Sequence, residues 1–351
     1  MAYSSIPKPS LHVNTKLYTG DGGTQSVTGV GFQPDWTWIK NRGSTDSHNV
    51  YDAVRGVTKY LLTNNNVAEG TTSGVTAFNS DGFSVGNNSM TNSNSNNYVS
   101  WNWKANGAGS SNTDGSRATT VSVNTTAGFS VGTCASLATN NDTLGHGLGA
   151  VPKMIIVKNK QASGNWFVYH HKLPTGSVGQ GSYLTLNATD SYSDGSIWNS
   201  TAPTSSVFTM KGGDFATGES LVFYAFAEKQ GYSKFGSYTG NGNADGPFIY
   251  TGFKPAFVML KNASASGKWL MLDSKRPTAA PGNPNNARLF ADVNNAENTS
   301  SNMIDLLSNG FKIRTNDSDH NGSGNTNIYM AFAENPLVAN SGTDGVPATA
   351  R

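Results

Sequence analysis

The chain has 351 residues, of which 36% are hydrophobic and only 13% charged, with 24 Lys and Arg against 22 Asp and Glu for a formal net charge of +2. A charged fraction about half the typical quarter excludes a polyelectrolyte tail, a strongly basic nucleic-acid binder and a chain disordered by its own charge. Polarity comes instead from Asn, Ser, Thr and 40 Gly, a composition that suits an all-β fold with many turns and a neutral surface.

No apolar segment of signal-peptide type follows Met1, and no run approaches the ~18 apolar residues of a membrane span. The sequence therefore predicts a soluble chain that contacts neither membrane nor nucleic acid. Residues 1–16 read as an N-terminal extension. From residue 17 onward a pattern runs through the chain three times. Gly31-Phe-Gln-Pro34 leads to Lys40-Asn41, Gly149-Ala-Val-Pro152 to Lys158-Asn159, and Gly252-Phe-Lys-Pro255 to Lys261-Asn262. The runs between are Asp35-Trp-Thr-Trp-Ile, Lys153-Met-Ile-Ile-Val and Ala256-Phe-Val-Met-Leu. Short apolar runs bounded by turn residues predict buried strands, and Pro suits a first strand position, where no ladder donor is needed.

The offsets continue downstream. Ten residues after each Asn stand Tyr51-Asp52, Tyr169-His170 and Leu272-Asp273. Later come Gly82-Phe-Ser-Val, Val207-Phe-Thr-Met and Gly310-Phe-Lys-Ile. Each copy closes on an aromatic strand: Tyr98-Val-Ser-Trp-Asn-Trp, Leu221-Val-Phe-Tyr-Ala-Phe and Ile328-Tyr-Met-Ala-Phe. Alternation places Trp101 with Trp103, Tyr224 with Phe226 and Met330 with Phe332 on one face. The repeats run over 17–107, 118–231 and 232–338, with a polar linker at 108–117 and a flexible or docking tail at 339–351. Short helical turns are expected within Val54–Leu62 and Met303–Leu307, and nothing longer has a helical period. The fold class is all-β: three tandem β-sandwich or jelly-roll-like repeats, either as separate modules or sharing one core about a pseudo-threefold axis.

Candidate chemistry is sparse. Only five Glu occur, and Glu228 and Glu334 fall at matching strand ends. Asp52 with Arg55 and Asp273 with Arg276 share a three-residue spacing, with His170 replacing the Asp in the second copy; residues that repeat with the architecture read as structural pairs. The lone Cys134 forms no internal disulfide and reads as a small buried hydrophobe. No zinc motif or nucleophile elbow appears, and the Gly clusters precede strands and not helices. One weak cation signal remains: Asp317, Asp319 and Asn321 match the start of a calcium loop, although Ile328 stands where that loop needs Glu. Surface aromatics beside amides suit sugar stacking and hydrogen bonding, as Trp166, Trp198 and Trp269 beside Asn-rich loops would; the rival reading is that strand aromatics fill the sandwich core, which leaves Trp198 as the Trp expected to be exposed and the glycan-binding candidate. The reading is a non-enzymatic chain without a cofactor, calcium at Asp317, Asp319 and Asn321 being the weak exception.

The repeated motifs resemble a known family. Tyr18-Thr-Gly, Gly31-Phe-Gln-Pro-Asp-Trp-Thr-Trp-Ile-Lys-Asn-Arg, Gly145-His-Gly-Leu-Gly, Tyr232-Ser-Lys-Phe-Gly-Ser-Tyr-Thr-Gly and Gly246-Pro-Phe-Ile-Tyr-Thr-Gly-Phe-Lys-Pro are similar to an uncharacterised repeat domain of marine tailed-bacteriophage virion proteins, over residues 17–338. The resemblance implies a structural protein on the virion exterior, as capsid decoration or as part of the tail or its fibres. Its partners would be other capsid or tail proteins and further copies of itself, as a trimer or higher oligomer. The alternative is an adhesin that recognises a host-surface glycan. The family brings no catalytic residues to carry over.

Overall fold

Along Trp36–Asn41 every residue is buried, and the two faces of the strand meet different surroundings. Trp36 and Trp38 enter one apolar cluster and Ile39 another. Met154 and Ile156 divide from Ile155 and Val157 in the same way, as do Phe257 and Met259 from Val258 and Leu260. A strand covered on both sides gains from apolar residues at every position, which is why these runs read as continuous and not alternating. The computed structural model describes residues 4, 6–138, 141–174, 181–195, 197–211, 215, 217–278 and 282–337.

Three large antiparallel sheets share one strand order. In the first, Val13–Thr19, Asn97–Trp103, Trp36–Asn41, Asn49–Asp52 and Lys59–Leu62 lie side by side. In the second the order is Phe129–Cys134, Leu221–Phe226, Met154–Asn159, Trp166–His170 and Ser182–Thr185. In the third it is Ser233–Thr239, Thr326–Pro336, Phe253–Asn262, Leu270–Asp273 and Leu289–Phe290. A smaller sheet covers the outer face of each. These are Gln25–Thr28 with Gly82–Val85 and Val75–Asn79, then Asp142–Gly145 with Val207–Met210, then Phe248–Tyr250 with Gly310–Ile313 and Ile304–Leu307. Gly82 and Gly310 lie so close to the edge strand that an added Cβ would collide with the carbonyl oxygens of Val27 and Ile249.

The fold is all-β, and the large sheets turn their inner faces toward a single core. Trp103, Phe226 and Phe332 meet there, with Phe332 centred 5.9 Å from Trp103 and 6.1 Å from Phe226, and none of the three is more than 1% exposed. Trp36 stacks on Tyr224 at 4.4 Å. Each such side chain contributes about 1.5–3 kcal/mol on leaving water.

Several local expectations give way to this packing. Pro34 and Pro152 stand two residues ahead of their strands, but Pro255 lies within Phe253–Asn262, at a register shift where a missing N–H is tolerated. Met303–Leu307 is not helical: Ile304–Leu307 forms a hairpin with Gly310–Ile313. Val54–Leu62 holds a turn and then the strand Lys59–Leu62. The polar stretch expected as a linker supplies Ser110–Asn112, which pairs with Thr119–Asn124 and widens the second sheet. The expected N-terminal extension includes Ile6, buried in the central core, and the start of Val13–Thr19. The tail 339–351 lies outside the described residues.

Backbone bonds close the three segments into a ring. Glu69 N–H donates to Lys160 O at 2.9 Å and Gly164 N–H to Asn66 O at 2.8 Å. Tyr192 N–H donates to Ala263 O at 2.7 Å and Gly267 N–H to Thr189 O at 2.8 Å. Glu297 N–H donates to Arg42 O at 2.8 Å, and the Arg42 guanidinium holds the Glu297 carboxylate at 2.6 Å. Two of the repeated lysines reach across these seams, and the third closes its own turn. Lys158 Nζ donates to Asn66 O, Lys261 Nζ to Thr189 O and Asp190 O, and Lys40 Nζ to Asn41 O and Ser44 O. Burial lowers all three amines to about 8. The neighbouring Asn caps its own turn: Asn41, Asn159 and Asn262 accept from the N–H groups of Gly43, Ala162 and Ala265.

Deeper in each seam the polar groups change as a set. Tyr224 donates its hydroxyl to Asp52 at 2.8 Å, and Trp101 its indole N–H to Asp273 at 2.9 Å, each across a segment boundary. Arg55 and Arg276 neutralise the two carboxylates at 2.5 Å. At the remaining seam the corresponding donor is Met330, the acid is His170, and the arginine is Leu173. Without a donor in Met330, a buried carboxylate there would lack its partner across the seam, and without that carboxylate an arginine would lose the closest of its acceptors, the others at the two charged seams being Glu69 for Arg55 at 3.1 Å and Glu297 for Arg276 at 2.9 Å. The three positions therefore change together. Asp273→Leu removes the acceptor of the buried Trp101 indole and the closest partner of Arg276, which keeps Glu297 at 2.9 Å, and is expected to cost about 3–5 kcal/mol. Met330→Leu, at the matching place in the apolar seam, is expected to cost under about 1.5 kcal/mol. Denaturant midpoints of the two variants check the contrast, and equal losses would contradict it.

Candidate functional site

The segment read as a cation loop is a capped helical turn, Ser318–Asn321. Asp317 accepts the Asp319 N–H at 2.9 Å as its N-cap. Asn321 donates to Asn241 Oδ1, Asn243 O and Thr315 O, while its own oxygen accepts the Asn241 N–H. Asp319 faces Lys268 at 3.7 Å. The first segment builds the same turn with an amide cap: Asn88 caps Ser89–Asn92, and Asn92 donates to Asp21 Oδ1, Gly23 O and Gly86 O. Tyr18 and Tyr238 complete both turns by donating to Thr91 O and His320 O. The three candidate ligands thus act in a fold element that also forms with amides. Among the described residues, no three His, Cys, Asp or Glu side chains gather as a metal site needs.

Trp198 is not on the surface. It is 1% exposed, packed in the second sandwich with its ring 5.9 Å from Tyr169 and edge-on to it. Its Nε1–H has no partner among the described residues. The polar neighbourhood in sequence misleads here, because Trp198 joins Ile197, Phe208 and Met210 in the buried apolar cluster of the second sandwich. All seven Trp are buried. Trp166 and Trp269 donate their indole N–H groups across seams to Leu62 O and Thr185 O, both at 2.9 Å.

What the surface does carry is a pair of aromatic rings. Among the described residues the exposed large hydrophobics include two aromatics, Phe248 at 46% and Tyr250 at 55%. They flank buried Ile249 on the edge strand of the third small sheet, so both rings face solvent on one side. Beside Tyr250 opens a cleft of about 410 Å³ lined also by Glu228, Gln230, Ser233, Lys234 and Thr251. Glu228 serves both neighbours: Lys234 binds one of its oxygens at 2.8 Å and the Phe235 N–H the other at 3.2 Å. Glu334, matched to Glu228 by spacing, pairs with Lys254 at 2.7 Å. Sequence reading passed over Phe248 and Tyr250. A signal was present, since a strand with an apolar residue at every position is out of place on a half-exposed edge.

The histidines are structural. His48 accepts the Trp38 indole N–H on Nδ1 at 2.9 Å. His170 accepts the Lys172 N–H on Nδ1, which places the proton of the neutral ring on Nε2, 3.2 Å from Tyr329 O. His171 reaches Phe235 O instead, so the adjacent pair does not converge. Burial lowers the pKa of all six histidines, and that of His170 to about 3. The unfolded rings titrate near 6.5, so below that pH the unfolded chain binds protons that the folded chain refuses. Stability is then full above about pH 6.5 and is lost on acidification, by up to about 1.4 kcal/mol per pH unit for each ring held neutral. Asp35 and Asp292, raised by burial, the latter to about 6, oppose this with fewer groups. Guanidinium midpoints are expected to fall from pH 7.5 to pH 4.5, with a shallower fall in His170→Gln; a flat profile would contradict the assignment.

No curated protein matches the chain. A family model described as "Domain of unknown function (DUF7483)" matches residues 8–336, the span from the 3₁₀ turn Pro9–Leu11 to the end of the last strand. Its reach over all three large sheets agrees with one shared core, and the chain belongs to the DUF7483 family.

Proposed function

We propose that this chain is a non-enzymatic structural protein on the exterior of a bacteriophage particle, as a capsid decoration or a component of the tail or its fibres, assembled as a homo-oligomer. The observation that carries this reading is the use made of the recurring polar residues. Asp52, Asp273, Lys40, Lys158 and Lys261 recur by position, and each is spent on joining one segment to the next or on closing its own turn. A chain whose recurrent chemistry goes into its own seams is built for shape and rigidity. The motif resemblance to phage virion proteins supplies the setting.

A second reading, an adhesin for host-surface glycan, is favoured by the exposed Phe248 and Tyr250 beside a polar cleft. Gradient-purified particles of the phage encoding the chain are expected to hold it in fixed stoichiometry, with surface density of its shape in particle images. Presence in the lysate but absence from washed particles would refute the structural reading.

A further inference from the structure

The three edge strands of the small sheets provide an internal control. By ladder register, Phe248, Ile249 and Tyr250 stand opposite Lys312, Phe311 and Gly310. The corresponding residues are Ser26, Val27 and Thr28 in the first segment and Thr143, Leu144 and Gly145 in the second. The inward position is apolar in all three, as the sandwich requires. The outward positions are small or polar in two of them and aromatic only in the third. The architecture forms without rings there, so Phe248 and Tyr250 answer to something outside the fold.

The surroundings define what that is. Phe248 is steadied from below: its Cε2 lies 3.1 Å from where a Cβ on Gly310 would stand, so the ring uses space that only glycine leaves. Tyr250 borders the cleft, where Glu228 and Lys234 neutralise each other at 2.8 Å. Thr251 Oγ1 is committed to Phe253 O at 2.7 Å, and Ser233 Oγ to the Lys229 N–H at 3.0 Å. Gln230, exposed on the same wall, brings a carboxamide that both donates and accepts.

We infer that Phe248, Tyr250 and the Gln230 cleft form a binding site for a neutral saccharide. The apolar face of a sugar ring stacks on the aromatics, and its hydroxyls satisfy the carboxamide in both senses. A charged ligand would find its counter-ions already paired. A protein partner needs roughly 800 Å² on each side, whereas two half-exposed rings present about 150–250 Å². That area fits one or two sugar rings, laid along a strand whose outward positions are roughly 7 Å apart. The site gives the adhesin reading a location and rests on that reading only for its biological use.

The test uses the full chain with cellotriose, maltotriose, chitotriose and galactose as probes, read by saturation-transfer NMR and titration calorimetry. At least one probe is expected to bind saturably. Tyr250→Ala is expected to weaken that binding about tenfold, with Phe248→Ala and Gln230→Ala also weakening it, at unchanged melting temperature. Thr28→Ala, on the corresponding strand, is expected to change nothing. No saturable binding, or binding indifferent to all three cleft variants, overturns the inference. Self-association of the chain that Tyr250→Ala abolishes overturns it in favour of a second copy on this patch. Sugar binding without any block of host adsorption would sustain the site and reject the adhesin reading.

Discussion

Three sheets that each bury both faces impose the main constraint on this molecule. An ordinary sandwich lets one side of every sheet meet water, so half its strand positions are free to be polar. Here the outer face of each large sheet is covered by a small sheet and the inner face by the other two large sheets. The central strands consequently lose nearly all solvent contact, and Trp, Tyr, Phe and Met fill a common core across segment boundaries. Contacts of this kind are remote in sequence, so the segments depend on one another for burial.

Polar groups that enter such an interior need partners, and their solutions at the three seams are instructive. Two seams use a carboxylate, an arginine three residues later and a donor from the neighbouring segment. The third abandons all three at once and packs His170, Leu173 and Met330 instead. Either complete set is tolerable in a low-dielectric interior, and a mixture is not. The buried lysines obey the same logic with backbone carbonyls as acceptors, which join neighbouring segments at two of the seams.

This economy shapes where function can sit. Side chains that recur at equal offsets are consumed by the architecture, so departures among the three segments say more than agreements. Phe248 and Tyr250 are such a departure, because Ser26, Thr28 and Thr143 show that the strand forms without them. Reading by residue type alone selected Trp198 and the Asp317–Asn321 stretch instead. Trp198 is buried in the apolar cluster of the second sandwich, and Asp317 and Asn321 are engaged in hydrogen bonds within their own turn and with adjoining turns.

Linear order alone determined the all-β class, the strand positions around each Lys-Asn pair and the membership of the aromatic faces. Those features follow from local turn chemistry and a two-residue period, which need no knowledge of neighbours. Tertiary structure alone decided that the large sheets share a core, that the polar stretch after residue 107 becomes a strand, and which segment's donor meets which segment's acid. Burial on the second face of a strand, and partnership across a seam, depend on what arrives from elsewhere in the chain; no periodicity within one segment encodes them.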